Sequence, residues 1–148
     1  MTAVIYKNRF IIGTFAFAIV IFIIILGVFS IDNSTNRMIV EYATNLGWQL
    51  NPSPSEISHI TIPTEFDAVY ETYNAVQKTS GFDLTPFKGK RVTRYTYEVQ
   101  NHAESGNSKV MLGILVYEKR IIAGDISSVN SGGFLHGITE TSKIKPKS

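Results

Sequence analysis

The sequence predicts a small α+β domain carried behind a single N-terminal transmembrane helix. The domain has two helices packed on one face of an antiparallel sheet that ends in a C-terminal three-strand meander. Three observations lead there. Residues 10–29, FIIGTFAFAIVIFIIILGVF, hold no charge and one hydroxyl, Thr14. Two later segments repeat apolar residues at helical spacing. Three strand-patterned segments then follow in close order, joined by short connections. The chain thereby divides into a cytoplasmic N-terminus (1–9), a transmembrane signal anchor (10–29), an extracytoplasmic domain (30–139) and a disordered basic tail (140–148).

A helix of about 20 apolar residues spans the roughly 30 Å hydrocarbon core of a bilayer. Lys7 and Arg9 precede the run and Asp32 follows it. Positive charge stays on the cytoplasmic side, so the N-terminus is inside and the remainder outside, at the cell membrane. A cleaved signal peptide has a shorter apolar stretch, about 7–15 residues, and a small-x-small site. Val28-Phe29-Ser30 fits that site poorly, so length favours an anchor that is retained.

Ser34 reads as the N-cap of a helix reaching to about Leu46. Met38, Tyr42 and Leu46 share its face with Ile39 and Ala43. Gly47 suits the left-handed position after a helix, which folds Trp48 back as a packing residue. NPSPS at 51–55 is a rigid turn, and 57–62 is a short strand ended by Pro63. Thr64 opens the second helix, with Asp67 completing a capping-box-like pattern. Phe66, Val69, Tyr70, Tyr73 and Val76 form its apolar face, and Gly81 stops it. Phe82, Leu84 and Phe87 peg the next turn to the core. Thr93, Tyr95, Tyr97 and Val99 alternate with Arg94, Thr96 and Glu98, as in a half-buried strand. Residues 110–117 are almost wholly apolar and read as a central strand covered on both faces. Glu118-Lys119 is a tight turn without the usual glycine. Residues 121–129 return as the last strand, and 131–138 form a turn through which Phe134 and Leu135 plug the end of the core.

Composition narrows the function. Residues 31–142 carry 9 Lys and Arg against 12 Asp and Glu, a local balance of −3. No basic stripe with interleaved aromatics is present, which excludes a nucleic-acid partner. The absence of cysteine excludes disulfides, thiolate metal sites, a cysteine nucleophile and a lipoprotein anchor. The partners expected are the lipid bilayer, through 10–29, and a protein or peptide outside the membrane.

The most distinctive pieces are Gly47-Trp48, Ile62-Pro63, Tyr73 with Asn74 and Gln77, Gly81-Phe82-Asp83-Leu84, Arg94-Tyr95-Thr96-Tyr97, Gly124-Asp125 and Phe134-Leu135-His136-Gly137. In combination they resemble a small extracytoplasmic domain of Gram-positive bacteria, domain of unknown function 4830, over roughly residues 46–138. Ala123 departs from the resemblance where a second glycine is expected, and Glu118-Lys119 is a less favourable turn than one with glycine. The resemblance implies a membrane-anchored or exported α+β chain and carries no activity.

Catalytic chemistry requires a nucleophile or metal, a base and a group to hold the base. His59, His102 and His136 have no ligand spacing, so no metal is expected. No GxSxG, P-loop or GxGxxG occurs, and no cofactor is expected. The remaining pair is Asp125 with His136. A buried Asp orienting a His as general base would suit a small cell-envelope hydrolase. The simpler reading has Asp125 accepting hydrogen bonds from backbone amides, a tyrosine hydroxyl or Arg94. Arg94, Tyr95, Tyr97 and Trp48 are the binding candidates. The function expected is an extracytoplasmic interaction or sensing module. The hydrolase, or an accessory or inhibitory subunit of a membrane complex, stands as the alternative.

Overall fold

A computed structural model describes residues 33–128 and 133–146. The expected cytoplasmic segment and membrane anchor, 1–29, lie outside the described residues. Among the described residues no helix is long and apolar enough to cross a membrane. The chain divides into Met1–Thr35 and Asn36–Ser148, and the second unit contains the sheet.

Among the described residues five strands, β1 (Glu56–Thr61), β2 (Arg91–Glu98), β3 (Val110–Tyr117), β4 (Arg120–Ser128) and β5 (Leu135–Gly137), lie side by side in chain order. Every neighbouring pair is antiparallel. The expected three-strand meander is thus the centre of a five-strand one. β5 replaces part of the turn expected at 131–138, because Leu135, His136 and Gly137 pair with Ser127, Ile126 and Asp125. β3 is the middle strand and is buried from Val110 to Val116, as its continuous apolar run requires.

The first helix, α1, covers residues 33–45. Ser34 therefore lies within it and is not its cap. At the other end Gly47 takes φ 94°, the Gly47 amide donates to the Thr44 carbonyl at 2.8 Å, and the Trp48 amide donates to Ala43 at 3.0 Å. This paired closure requires a residue at positive φ and returns Trp48 to the core. The second helix, α2 (Ala68–Thr79), starts four residues after Thr64. Asp67 is its N-cap and accepts from the Tyr70 amide at 2.8 Å. An Asp at the cap also places negative charge against the positive end of the helix dipole.

The two helices lie on opposite faces of the sheet, not on one. Ile39 and Ala43 of α1 pack with Tyr95, Tyr97, Leu112, Ile114 and Ile126. Tyr70 and Tyr73 of α2 pack with Val92, Leu115 and Ala123. These strand residues have opposite parity along β2, β3 and β4, and alternate side chains point to alternate faces. Helical periodicity states which face of a helix is apolar but not which face of the sheet receives it.

The C-terminal stretch expected to be a disordered tail is docked as far as it is described. The Ala103 amide donates to the Lys143 carbonyl and the Lys145 amide to Asn101, each at 2.8 Å. Ile144 forms an isolated bridge with His102 and rests against the α1-side core. One apolar residue in a polar run, with backbone pairing on either side, is enough to hold it.

Candidate functional site

The α2 side of the sheet is polar at its centre. Asn74 and Gln77, the fully buried residues of α2, face inward where an amphipathic helix would present aliphatic groups. Gln77 stands over the point where β5 no longer covers the edge of β4. Its Oε1 accepts from the Gly124 amide at 2.8 Å, and its Nε2 approaches Asp125 Oδ1 at 3.5 Å. Tyr73 Oη donates to the same Asp125 oxygen at 2.7 Å. Asn74 Nδ2 donates to Asp83 Oδ1 at 3.0 Å and Asn74 Oδ1 accepts from the Leu84 amide at 2.8 Å, which clamps the turn after the helix.

Asp125 is 2% exposed. Burial raises its pKa above the ordinary aspartate value, opposed by the Tyr73 hydrogen bond and the nearby Arg94 charge. Burial also pushes the Tyr73 phenol well above its usual value, and the Asp125 charge adds to that. Tyr73 therefore stays the donor of this pair across the neutral range.

Arg94 comes from β2, two strands away from Asp125 on β4. The intervening β3 position, paired with Asp125, is Gly113. A Cβ there would lie 3.0 Å from an Arg94 guanidinium nitrogen and 3.2 Å from Asp125 Oδ2. The missing side chain is what allows the two charged groups to come together above the sheet. They do not close into an ion pair within 4.0 Å, and among the described residues Arg94 makes no other ion pair or side-chain hydrogen bond. Arg94 instead lines a groove of about 670 Å³ with Ile60, Val69, Tyr70, Tyr73 and Leu115. The rim holds Val69 at 77% and Leu135 at 42% exposure, two of the exposed large apolar side chains.

A second cleft, about 720 Å³, opens at the end of the sheet on the α1 side. His102 and His136 meet there, Nε2 to Nε2 at 3.3 Å. Backbone partners fix the proton positions. The Glu104 amide donates to His102 Nδ1 at 3.0 Å, and His136 Nδ1 donates to the Gly137 carbonyl at 2.9 Å. His102 therefore carries its proton on Nε2 and donates to His136. His102 is 2% exposed and stacks on Trp48 and on Phe134, at ring-centre distances of 5.9 and 4.7 Å. Burial lowers the His102 pKa, helped by His136 and Lys143 and opposed by Glu104 and Glu140. The same tautomer disfavours a metal at the pair, because a metal on His102 Nε2 would require a proton on Nδ1, against the Glu104 amide.

The structure does not bring Asp125 and His136 together. Asp125 pairs with Gly137, so His136, one residue along, points through the opposite face with Ile126 towards Trp48. A direct base-and-orienter arrangement between them is absent. Of the binding candidates, Tyr95 and Tyr97 are buried in the α1-side core, where Tyr97 Oη donates to Asn36 Oδ1 at 2.8 Å. Trp48 is fully buried and donates from Nε1 to the Ile138 carbonyl at 2.7 Å. Arg94 alone faces a groove. His59, on β1, lies 3.2 Å from the Thr93 hydroxyl. The expected tyrosine partner of Asp125 is Tyr73. Its helical spacing with Gln77 (i, i+4) and the presence of amides on an otherwise apolar helix face were the available signals. Nothing in the sequence joins His102 to His136 across 34 residues.

The family described as Domain of unknown function (DUF4830) matches residues 42–126. The chain belongs to that family. The DUF4830 match contains Tyr73, Gln77, Arg94, Gly113 and Asp125, the whole polar arrangement beneath α2, and of the histidine pair only His102. No curated protein and no solved structure matches the chain.

Proposed function

We propose that this DUF4830 chain is a non-enzymatic recognition module, tethered to the cell membrane by residues 10–29 with its α+β domain outside. The observation that carries the binding part is Arg94, a guanidinium without an ion-pair partner among the described residues, set in an apolar groove. Burying part of a charge against apolar side chains costs free energy unless a partner arrives, so such a site is poised for a complementary ligand. Asp125 supports the groove from behind, with its carboxylate engaged by Tyr73 and Gln77. The tether rests on the uncharged run between Arg9 and Asp32 and on the positive charge before it.

A photo-crosslinking amino acid at Val69 in intact membranes tests the groove. An adduct that disappears with Arg94→Gln supports the reading, and no Arg94-dependent adduct of any mass overturns it. The chain has no cysteine, so a Val69→Cys variant tests the topology. It should react with a membrane-impermeant maleimide in intact cells; labelling only after lysis rejects the outside placement.

A further inference from the structure

We infer that the Arg94 groove takes a single-chain aliphatic carboxylate, a long-chain fatty acid, with its head on the Arg94 guanidinium and its chain between α2 and the sheet. The inference rests on the recognition reading and names its ligand class. The groove volume, about 670 Å³, lies within the range of roughly 300–1,000 Å³ usual for small-ligand sites. Its walls are Ile60, Ala68, Val69, the Tyr70 ring, Leu115 and Leu135, and its polar contributors are few: the Tyr70 hydroxyl, Thr72, Tyr73 and Arg94. The Tyr73 hydroxyl is already donated to Asp125, and the Thr72 hydroxyl to the Ala68 carbonyl at 2.8 Å.

That inventory selects the ligand. A peptide brings an amide and a carbonyl at every residue, and each needs a partner once buried. The groove has almost none to give. An alkyl chain brings no polar atoms to its buried part, and one carboxylate matches the planar donor fork of one arginine. Asp125 leaves the guanidinium donors unfilled: its Oδ1 is held by Tyr73 and Gln77, and its Oδ2, which faces Arg94 across Gly113, stays beyond 4.0 Å and bears on Arg94 through space alone. The exposed rim side chains Val69 and Leu135 would be covered by the chain end.

The full-length chain in phosphatidylcholine nanodiscs, exposed to a diazirine-bearing palmitic acid, tests this. The expected result is labelling of α2 and of the peptide carrying Leu135, with competition by unlabelled palmitate. Arg94→Gln should reduce labelling about tenfold or more, as should conversion of the probe to its methyl ester, since each removes the charge-assisted pair. Val69→Glu, at a side chain 77% exposed, keeps the fold and should block the chain end. Equal labelling by acid and ester, labelling confined to residues 10–29, or labelling indifferent to both variants overturns the inference. Competition by an apolar peptide with a free C-terminal carboxylate but not by palmitate also overturns it, and leaves the recognition reading standing. Crosslinks between two copies through Val69 would make a second chain the occupant and overturn the ligand class as well.

Discussion

The two faces of the sheet are built from different chemistry. On the α1 side, Ile39, Ala43 and Trp48 meet Tyr97, Leu112, Ile114 and Ile126, and apart from the hydrogen bonds of Trp48 and Tyr97 the contact is shape and apolar area. On the α2 side the centre is Gln77, Tyr73 and Asp125, with Arg94 beside them and apolar residues towards the β1 edge. The first arrangement gains stability from removing area from water. The second gains little net stability from each hydrogen bond but is costly to break, because a buried group left without its partner keeps its desolvation penalty. A site that must hold one cation in a fixed place is therefore found on the polar face.

The comparison predicts unequal sensitivities. Trp48→Ala should have the largest effect, about 3–5 kcal/mol of destabilisation by denaturant titration, since it empties the α1-side core and frees the Ile138 carbonyl. Asp125→Ala should cost less, about 1–3 kcal/mol, through the stranded Tyr73 and Gln77 donors. Asp125→Asn keeps an acceptor at Oδ1 and should fall within about 1 kcal/mol of the parent. If Asn proves as damaging as Ala, the carboxylate charge, through Arg94, matters more than the hydrogen bonds.

The two faces also titrate in opposite senses. His102 has a lowered pKa, so the unfolded chain binds its proton more readily than the folded one. Its contribution is present above the ordinary histidine value of 6.5 and is lost as pH falls below it. Asp125 has a raised pKa, so its contribution is fullest below 3.8 and is lost as pH rises through its folded value. Thermal melting from pH 8 to 5 should show His102→Gln losing less stability towards acid than the parent. An equal loss in the two would move the cause away from the histidine pair.

The smallest effect is expected at the β3–β4 turn. Glu118 and Lys119 occupy φ 47° and 61°, the left-handed region required by a two-residue hairpin of this kind. Lys119→Gly should stabilise the chain by about 0.5–1 kcal/mol, read as a rise in melting temperature, and should leave both faces unchanged.

Much of this was legible because it is local. Gly47 and Gly81 ended their helices at positive φ, and the apolar run of β3 marked the buried centre of the sheet. The start of α2 was missed by four residues because Thr64 and Asp67 are both good caps, and Asp67 is the one whose side chain reaches an amide of the first turn. Arg94 was legible as a candidate residue but not as a groove lining. Its position over Gly113 depends on strand register, and a one-residue shift would send it to the other face.

The sequence by itself determined the α+β class, the helix stops, the alternation of β2 and the burial of β3, because these follow from the conformational limits of glycine and proline and from the periods of helix and strand. The tertiary structure alone decided that the helices take opposite faces, that Asp125 and His136 part, and that His102 joins His136. Those outcomes depend on pairing register and on closure of long loops, where residues tens of positions apart meet only once the sheet has formed.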